Sequence, residues 1–208
     1  MANDNFPRGL FPINFNINSA HYYRVATSTD IFLNQPVTQP AAGFVVGAAT
    51  AGASGLVLLG VAVGFAGVLK RGLATPDPFL DVSDLTPPTP SSDTGDRWVL
   101  VADDPNQEFL VQEDTGGTAL ALADVGAAAD VIYRGAGGVV DGNLDTGLSS
   151  LELDASTVAA GTAGSWTILR LHDVVNSDGT ENAVGDYAKW IVRITHHQKT
   201  GLQAVAQV

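Results

Sequence analysis

Cysteine is absent from the 208-residue chain. That excludes disulfides, thiolate metal sites and a cysteine nucleophile together. Positive charge is scarce: 10 Lys plus Arg stand against 22 Asp plus Glu, a net charge of −12 with a pI near 4.4. Such a chain repels nucleic-acid phosphate, which argues against a histone-like or repressor-like role. Charge of either sign is thin, 15% of residues against a usual ~25%. Strong acidity speaks here for solubility and not for a partner. The opening residues 1–10 lack a positive segment followed by an apolar run, so no signal peptide is expected. Missing too are a Gly-x-Ser-x-Gly elbow, a His-Glu-x-x-His pair and a Walker-type phosphate loop. No enzyme activity, metal or other cofactor is expected from these absences.

What the chain does hold is glycine, 23 of 208 residues, set between short runs of Val, Phe, Leu and Ala. No stretch sustains a helical period. Residues 41–69 carry no charge before Lys70-Arg71, long enough on paper to span a bilayer. Gly43, Gly47, Gly52, Gly55, Gly60, Gly64 and Gly67 interrupt that stretch, each costing about 1 kcal/mol in a helix interior. Two buried runs, Phe44-Val-Val46 and Leu56-Val-Leu-Leu59, separated by a Gly-Ala-Ser turn, are the better reading, as strands. Farther on, Arg97–Ala102 and Glu108–Gln112 flank Asp103-Asp-Pro-Asn106, a turn sequence. Residues 119–124 suggest one short helix stopped at Gly126. Ser165–His172 reads as a strand with Thr167, Leu169 and Leu171 on one face. In Tyr187–His196, Trp190, Val192 and Ile194 share one face, and Lys189, Ile191 and Arg193 the other. The expected fold is all-β, a barrel or sandwich of short antiparallel strands.

Four segments follow. Residues 1–20 form an extended N-terminal arm, 21–74 an N-terminal β segment, 75–96 a Pro-rich loop or linker, and 97–208 a C-terminal β domain. Pro76, Pro78, Pro87, Pro88 and Pro90 forbid regular structure in the third. The length suits one large β domain or two small ones. In the arm, Phe6, Leu10, Phe11, Ile13, Phe15 and Ile17 alternate with Pro and Asn and are too apolar for a solvated tail. With Arg8 they are the candidate contact residues; such an arm lies either on its own body or on a neighbouring subunit, and docking on a neighbouring subunit or a shell is the hypothesis taken forward.

Candidate metal sites are poor. His196 and His197 are adjacent on a strand end and face opposite ways, and His21 and His172 lie apart from them in sequence. Asp141, Asn143, Asp145 and Glu152 match positions 1, 3, 5 and 12 of a calcium loop, but Thr146 replaces the turn glycine and no helices flank it. Asp103-Asp104 beside Pro105 reads as turn chemistry.

The stretch Val101-Ala-Asp-Asp-Pro-Asn-Gln-Glu-Phe-Leu-Val-Gln-Glu-Asp114 resembles a signature of tailed-bacteriophage capsid decoration, or cement, proteins. Leu122-Ala-Asp-Val-Gly126, Thr146-Gly-Leu-Ser149, Ile168-Leu-Arg-Leu171 and Tyr187–Ile194 with His197-Gln198 follow in order. Met1-Ala-Asn3 and Pro7-Arg-Gly-Leu10 are similar too, while the Pro-rich stretch departs from the pattern. The resemblance implies a non-enzymatic head protein assembled in the bacterial host cytoplasm and carried on the virion surface. It would brace the shell by bridging capsomers of the major capsid protein, as a homotrimer, without nucleic acid or membrane partners. A tail-associated or carbohydrate-binding β-sandwich module is the alternative.

Overall fold

A computed structural model describes residues 3–25, 31–40, 43–48, 55–66, 98–133, 142, 146–159 and 163–200. All of the Pro-rich stretch 75–96, and Asp141, Asn143 and Asp145 of the calcium-like spacing, lie outside the described residues. Two antiparallel sheets pack together as a sandwich, and no α-helix occurs among the described residues. The expected all-β fold is present; of barrel and sandwich, it is the sandwich.

The first sheet holds β1 (Phe11–Ile13), β7 (Glu108–Gln112), β11 (Lys189–Ile194), β10 (Trp166–Leu171), β8 (Ala128–Tyr133) and β9 (Leu151–Ala159), in that spatial order. The second runs β2 (Ala20–Arg24), β6 (Trp98–Ala102), β5 (Gly60–Ala66), β3 (Pro36–Thr38), β4 (Val46–Gly47). Strands β4 and β5 fall where residues 41–69 allowed either strands or a membrane span. No helix among the described residues is long and apolar enough to cross a membrane. Strand β6 lies between β2 and β5, pairing Leu100 with Tyr22 on one side and Gly64 on the other. The N-terminal and C-terminal segments therefore share one sheet across the Pro-rich stretch.

Alternation explains which faces meet. Phe109 and Val111 on β7, and Trp190, Val192 and Ile194 on β11, turn inward with Trp166 and Ile168 of β10. From the second sheet Val61, Ala102 and the nearby Leu58 complete this core. Phe109 meets Trp166 edge to face, ring centroids 5.7 Å apart, a contact worth about 0.5–1.5 kcal/mol beyond burial. A β-bulge between Ile168 and Arg170 reverses the parity of β10. Leu171 thereby packs on the same core as Ile168, and simple alternation through Thr167, Leu169 and Leu171 does not hold. On the other face of the second sheet, Val37, Ala62, Val99 and Val101 join Ile31, Val45 and Leu59 in a second cluster.

Both sheets curl. A single parallel bridge, Val25 to Val45, draws β2 towards β4, and another, Glu113 to Leu153, draws the end of β7 onto β9. Neither makes a closed barrel. The short helix expected over 119–124 is a 3₁₀ turn, Leu122–Asp124, since Gly126 follows with φ +92° and sends the chain into β8.

Candidate functional site

The arm lies along its own body, one of the two placements its composition allowed. Asn3 donates from Nδ2 to the carbonyls of Ala183 (2.8 Å) and Asp186 (3.0 Å). The Phe6 amide donates to Gln112 Oε1 at 2.6 Å. Asn34 grips residues 8–10, donating to the Arg8 carbonyl and accepting from the Leu10 amide, each at 2.9 Å. Leu10 is wholly buried in the shared core and β1 pairs with β7, Phe11 opposite Leu110. Ile13 is half-buried and its carbonyl accepts from Gln107 Nε2 at 2.7 Å; Phe15 packs partly on the core. The sequence pattern marked the arm as apolar but could not show which side chains its own body would take.

Three apolar side chains of the arm remain outside: Phe6 is 55% exposed, Phe11 49% and Ile17 59%. The Arg8 guanidinium stacks over Phe6, 4.3 Å from the ring centroid, a cation–π contact of about 0.5–1 kcal/mol at an exposed site. Among the seven predicted contact residues, then, Phe6, Arg8, Phe11 and Ile17 face outward. Leu10 belongs to the core, with Ile13 and Phe15 between the two.

Two buried acids form further constellations. Asp103, at the end of β6, accepts from His21 Nδ1 (2.8 Å), from the Tyr23 hydroxyl and from Lys199 Nζ. Burial pushes its carboxyl up, but hydrogen bonds from Lys199, Tyr23 and His21 outweigh that and hold it below the usual carboxylate range. Burial, then the Asp103 carboxylate, raises the Tyr23 phenol. Lys199 belongs to the 3₁₀ turn Gln198–Thr200, so this cluster fastens the turn to the second sheet. Beside it, His197 Nδ1 accepts the Lys199 amide at 3.0 Å, which puts the ring proton on Nε2. That nitrogen is buried, near the Leu59 backbone but without a completed hydrogen bond, and burial lowers the imidazole below its ordinary value.

Glu113 follows β7 and is fully buried. Its carboxylate accepts from the Leu120 amide (2.6 Å) and from Trp190 Nε1 (2.8 Å). Burial, with Asp114 and Asp186 nearby, pushes it up to about 7 against those two hydrogen bonds.

The sequence reading passed over Glu113 and took Asp103 for turn chemistry, whereas Asp103 is buried and bonded to His21, Tyr23 and Lys199, yet a signal for both existed. Val99 and Val101 face the second cluster, and one more step of two reaches Asp103. Phe109 and Val111 face the main core, and one more step reaches Glu113. In each case the alternation outlasts the apolar run. Asp104, by contrast, does perform the turn chemistry, accepting the Asn106 amide at 2.8 Å.

Of the calcium-like spacing only Glu152 is described, and its carboxylate accepts from Gln112 Nε2 at 2.7 Å. Among the described residues no group of three or more His, Asp or Glu is arranged to hold a metal ion. A cavity of about 10 Å³ between the sheets, lined by Pro36, Leu58, Tyr133 and Trp166 among others, has room for roughly one water molecule. Comparison with family models, with characterised proteins and with solved structures gives no match. The outward side of the arm presents three exposed apolar side chains, Phe6, Phe11 and Ile17, with the Arg8 guanidinium over Phe6.

Proposed function

We propose that the chain is a non-enzymatic virion protein that decorates the outer capsid shell and stabilises it by bridging capsomers, as a homotrimer. The observation that carries this reading is the division of the arm into a buried side, fastened by Asn3, Asn34 and Leu10, and an exposed side of Phe6, Phe11 and Ile17. An arm already ordered on its own body has little conformational entropy left to lose on docking. Phe6 and Phe11 are already about half covered, so completing the burial of each adds roughly half of the 1.5–3 kcal/mol of a full transfer, and three arms engaged together multiply the effect. Pro12 in the short edge strand β1 discourages strand addition, so recognition falls to side chains. The major capsid protein is the partner on this reading, the host cytoplasm is the place of assembly, and neither nucleic acid nor membrane takes part. Support for a carbohydrate-binding module is weaker, because Trp166 and Trp190 are wholly buried and offer no stacking platform.

The test is decoration of capsids prepared without this protein. The wild type should bind in multiples of three, and the triple substitution Phe6→Ser, Phe11→Ser, Ile17→Ser should lower occupancy at least tenfold while the protein still folds and melts cooperatively, with its melting temperature lowered by only a few degrees. Undiminished decoration by the triple variant, or binding to glycans and not to capsids, would overturn the proposal.

A further inference from the structure

Beyond β11 one short segment stitches the first sheet to the second. The Leu58 amide donates to the His196 carbonyl and the Gln198 amide to the Leu58 carbonyl, both at 2.8 Å. The Gln198 side chain reaches the end of β3. It donates to Thr38 Oγ1 (3.3 Å) and the Gln39 carbonyl (3.0 Å), and accepts the Gln39 amide (3.0 Å). Next comes Lys199, whose ammonium meets Asp103 at the end of β6. His197 lies buried in the middle of this stitch.

The hydrogen bonds of the His197 ring suit the neutral imidazole alone. Nδ1 accepts the Lys199 amide at 3.0 Å, so a lone pair stands there. The one ring proton is therefore on Nε2, which is buried. A second proton has only Nδ1 to go to. It would then point at the Lys199 N–H, donor against donor, and would place a cation in a ring cut off from water. The turn held by that bond also includes Thr200, whose amide (3.1 Å) and hydroxyl (2.8 Å) donate to the His197 carbonyl.

Charged neighbours do not relieve the conflict. Asp103 and Asp104, at and after the end of β6, favour a proton on the ring, while Lys199 opposes one. Asp103 is already shared among Lys199 and, from β2, His21 and Tyr23. His196 approaches Gly55 instead. Burial outweighs the two acids and holds the imidazole below its ordinary value.

We propose that His197 is an acid-released latch between the two sheets: a proton on Nδ1 breaks its bond to the Lys199 amide and frees the turn Gln198–Thr200. The open form takes up a proton at the ordinary imidazole value of 6.5, before the latched form does. Opening therefore grows as pH falls below that value, by up to about tenfold per pH unit for one proton. The latch is a property of the fold and holds whether or not the chain decorates capsids.

Two-dimensional NMR and hydrogen exchange on the full chain test it. At pH 7.5 long-range nitrogen–proton spectra should show the His197 ring protonated on Nε2 and bare on Nδ1. Between pH 7.5 and 5 the Gln198 and Lys199 amides should lose at least fivefold protection, after correction for intrinsic exchange. The Ile168 amide, bonded to the Ala127 carbonyl in the first sheet, should keep its protection. His197→Asn offers an oxygen in place of Nδ1 and takes up no proton in this range, so its Gln198 and Lys199 amides should show no such loss. A wild-type ring protonated on Nδ1 at pH 7.5, or wild-type protection unchanged down to pH 5, would overturn the latch without recourse to the variant. So would a loss shared equally by Ile168, or one that persists in folded His197→Asn.

Discussion

Individual residues carry opposite electrostatic signs in this protein. Asp103 is held below its ordinary 3.8 in the folded state, so the stability it contributes is present above that value and is lost as pH falls through the folded one. Glu113 is raised from 4.5 to about 7, so its contribution favours the fold in acid and is lost as pH rises across that interval. His197, lowered by burial from 6.5, opposes Glu113 there, because protonating it favours unfolding. Wild-type melting therefore hides both, and differences between variants reveal them. Asp103→Asn should cost about 1–3 kcal/mol at pH 7, less than a fully buried pair would, because Lys199 (38% exposed) and His21 (60% exposed) can return to water. Urea melts should show this gap closing as pH falls below 3.8; a gap constant down to pH 3 would mean that Asp103 acts through packing alone. Gly9 is a steric case. Its φ is +69°, and a Cβ there would stand 2.4 Å from the Asn34 carbonyl oxygen and 2.8 Å from Ser149 Cβ. Gly9→Ala should therefore cost about 1–3 kcal/mol, read in the same melts, which gives Pro7-Arg-Gly-Leu10 a physical reason for its glycine.

At the scale of elements, the arm divides structural from recognition roles within a few residues. Leu10→Ala should lower stability by about 2–5 kcal/mol, the cost of a cavity in a packed core, whereas Phe11→Ser, at a half-exposed site, should cost only about 1 kcal/mol. Thermal denaturation of the two variants checks this, and equal losses would contradict the inward and outward assignment. Deleting residues 1–18 should also destabilise the body, since Leu10 and β1 go with them. How much of this was legible depended on parity. Strand β11 was readable because Trp190, Val192 and Ile194 alternate without interruption and are all buried. Strand β10 was readable as a strand but not in its facing, because a bulge after Ile168 leaves no mark in the residue types. In the arm, Pro and Asn between apolar residues showed extension, but the grip of Asn34 on residues 8–10 comes from a loop distant in sequence. Asp103 and Glu113 sit where alternation continues past the last apolar residue, so their burial was encoded, while their partners His21, Lys199 and Trp190 were fixed only by folding.

The whole molecule is interlaced across the Pro-rich stretch. Strand β6 comes from the C-terminal segment but is paired on both sides by strands of the N-terminal one, β2 and β5. Leu58 donates to the His196 carbonyl and accepts from the Gln198 amide, both at 2.8 Å. Leu58 and Val61 also sit in the same core as Trp166 and Trp190. A C-terminal fragment made alone would lose these side chains from its core and would leave Val99 and Val101 bare on an unpaired β6. Removing a large buried apolar residue costs about 2–5 kcal/mol, and a typical domain is stable by only 5–15 kcal/mol. Residues 97–208 expressed alone should therefore fail to fold, and so should residues 1–74, which lose β6 from the middle of their sheet. Coexpressed, the two fragments should copurify and recover a β-type circular dichroism spectrum with one cooperative melt. A lone 97–208 fragment that melts cooperatively, with Trp166 and Trp190 indole resonances at their full-length positions, would show two independent domains and refute the interlaced fold as the unit of stability.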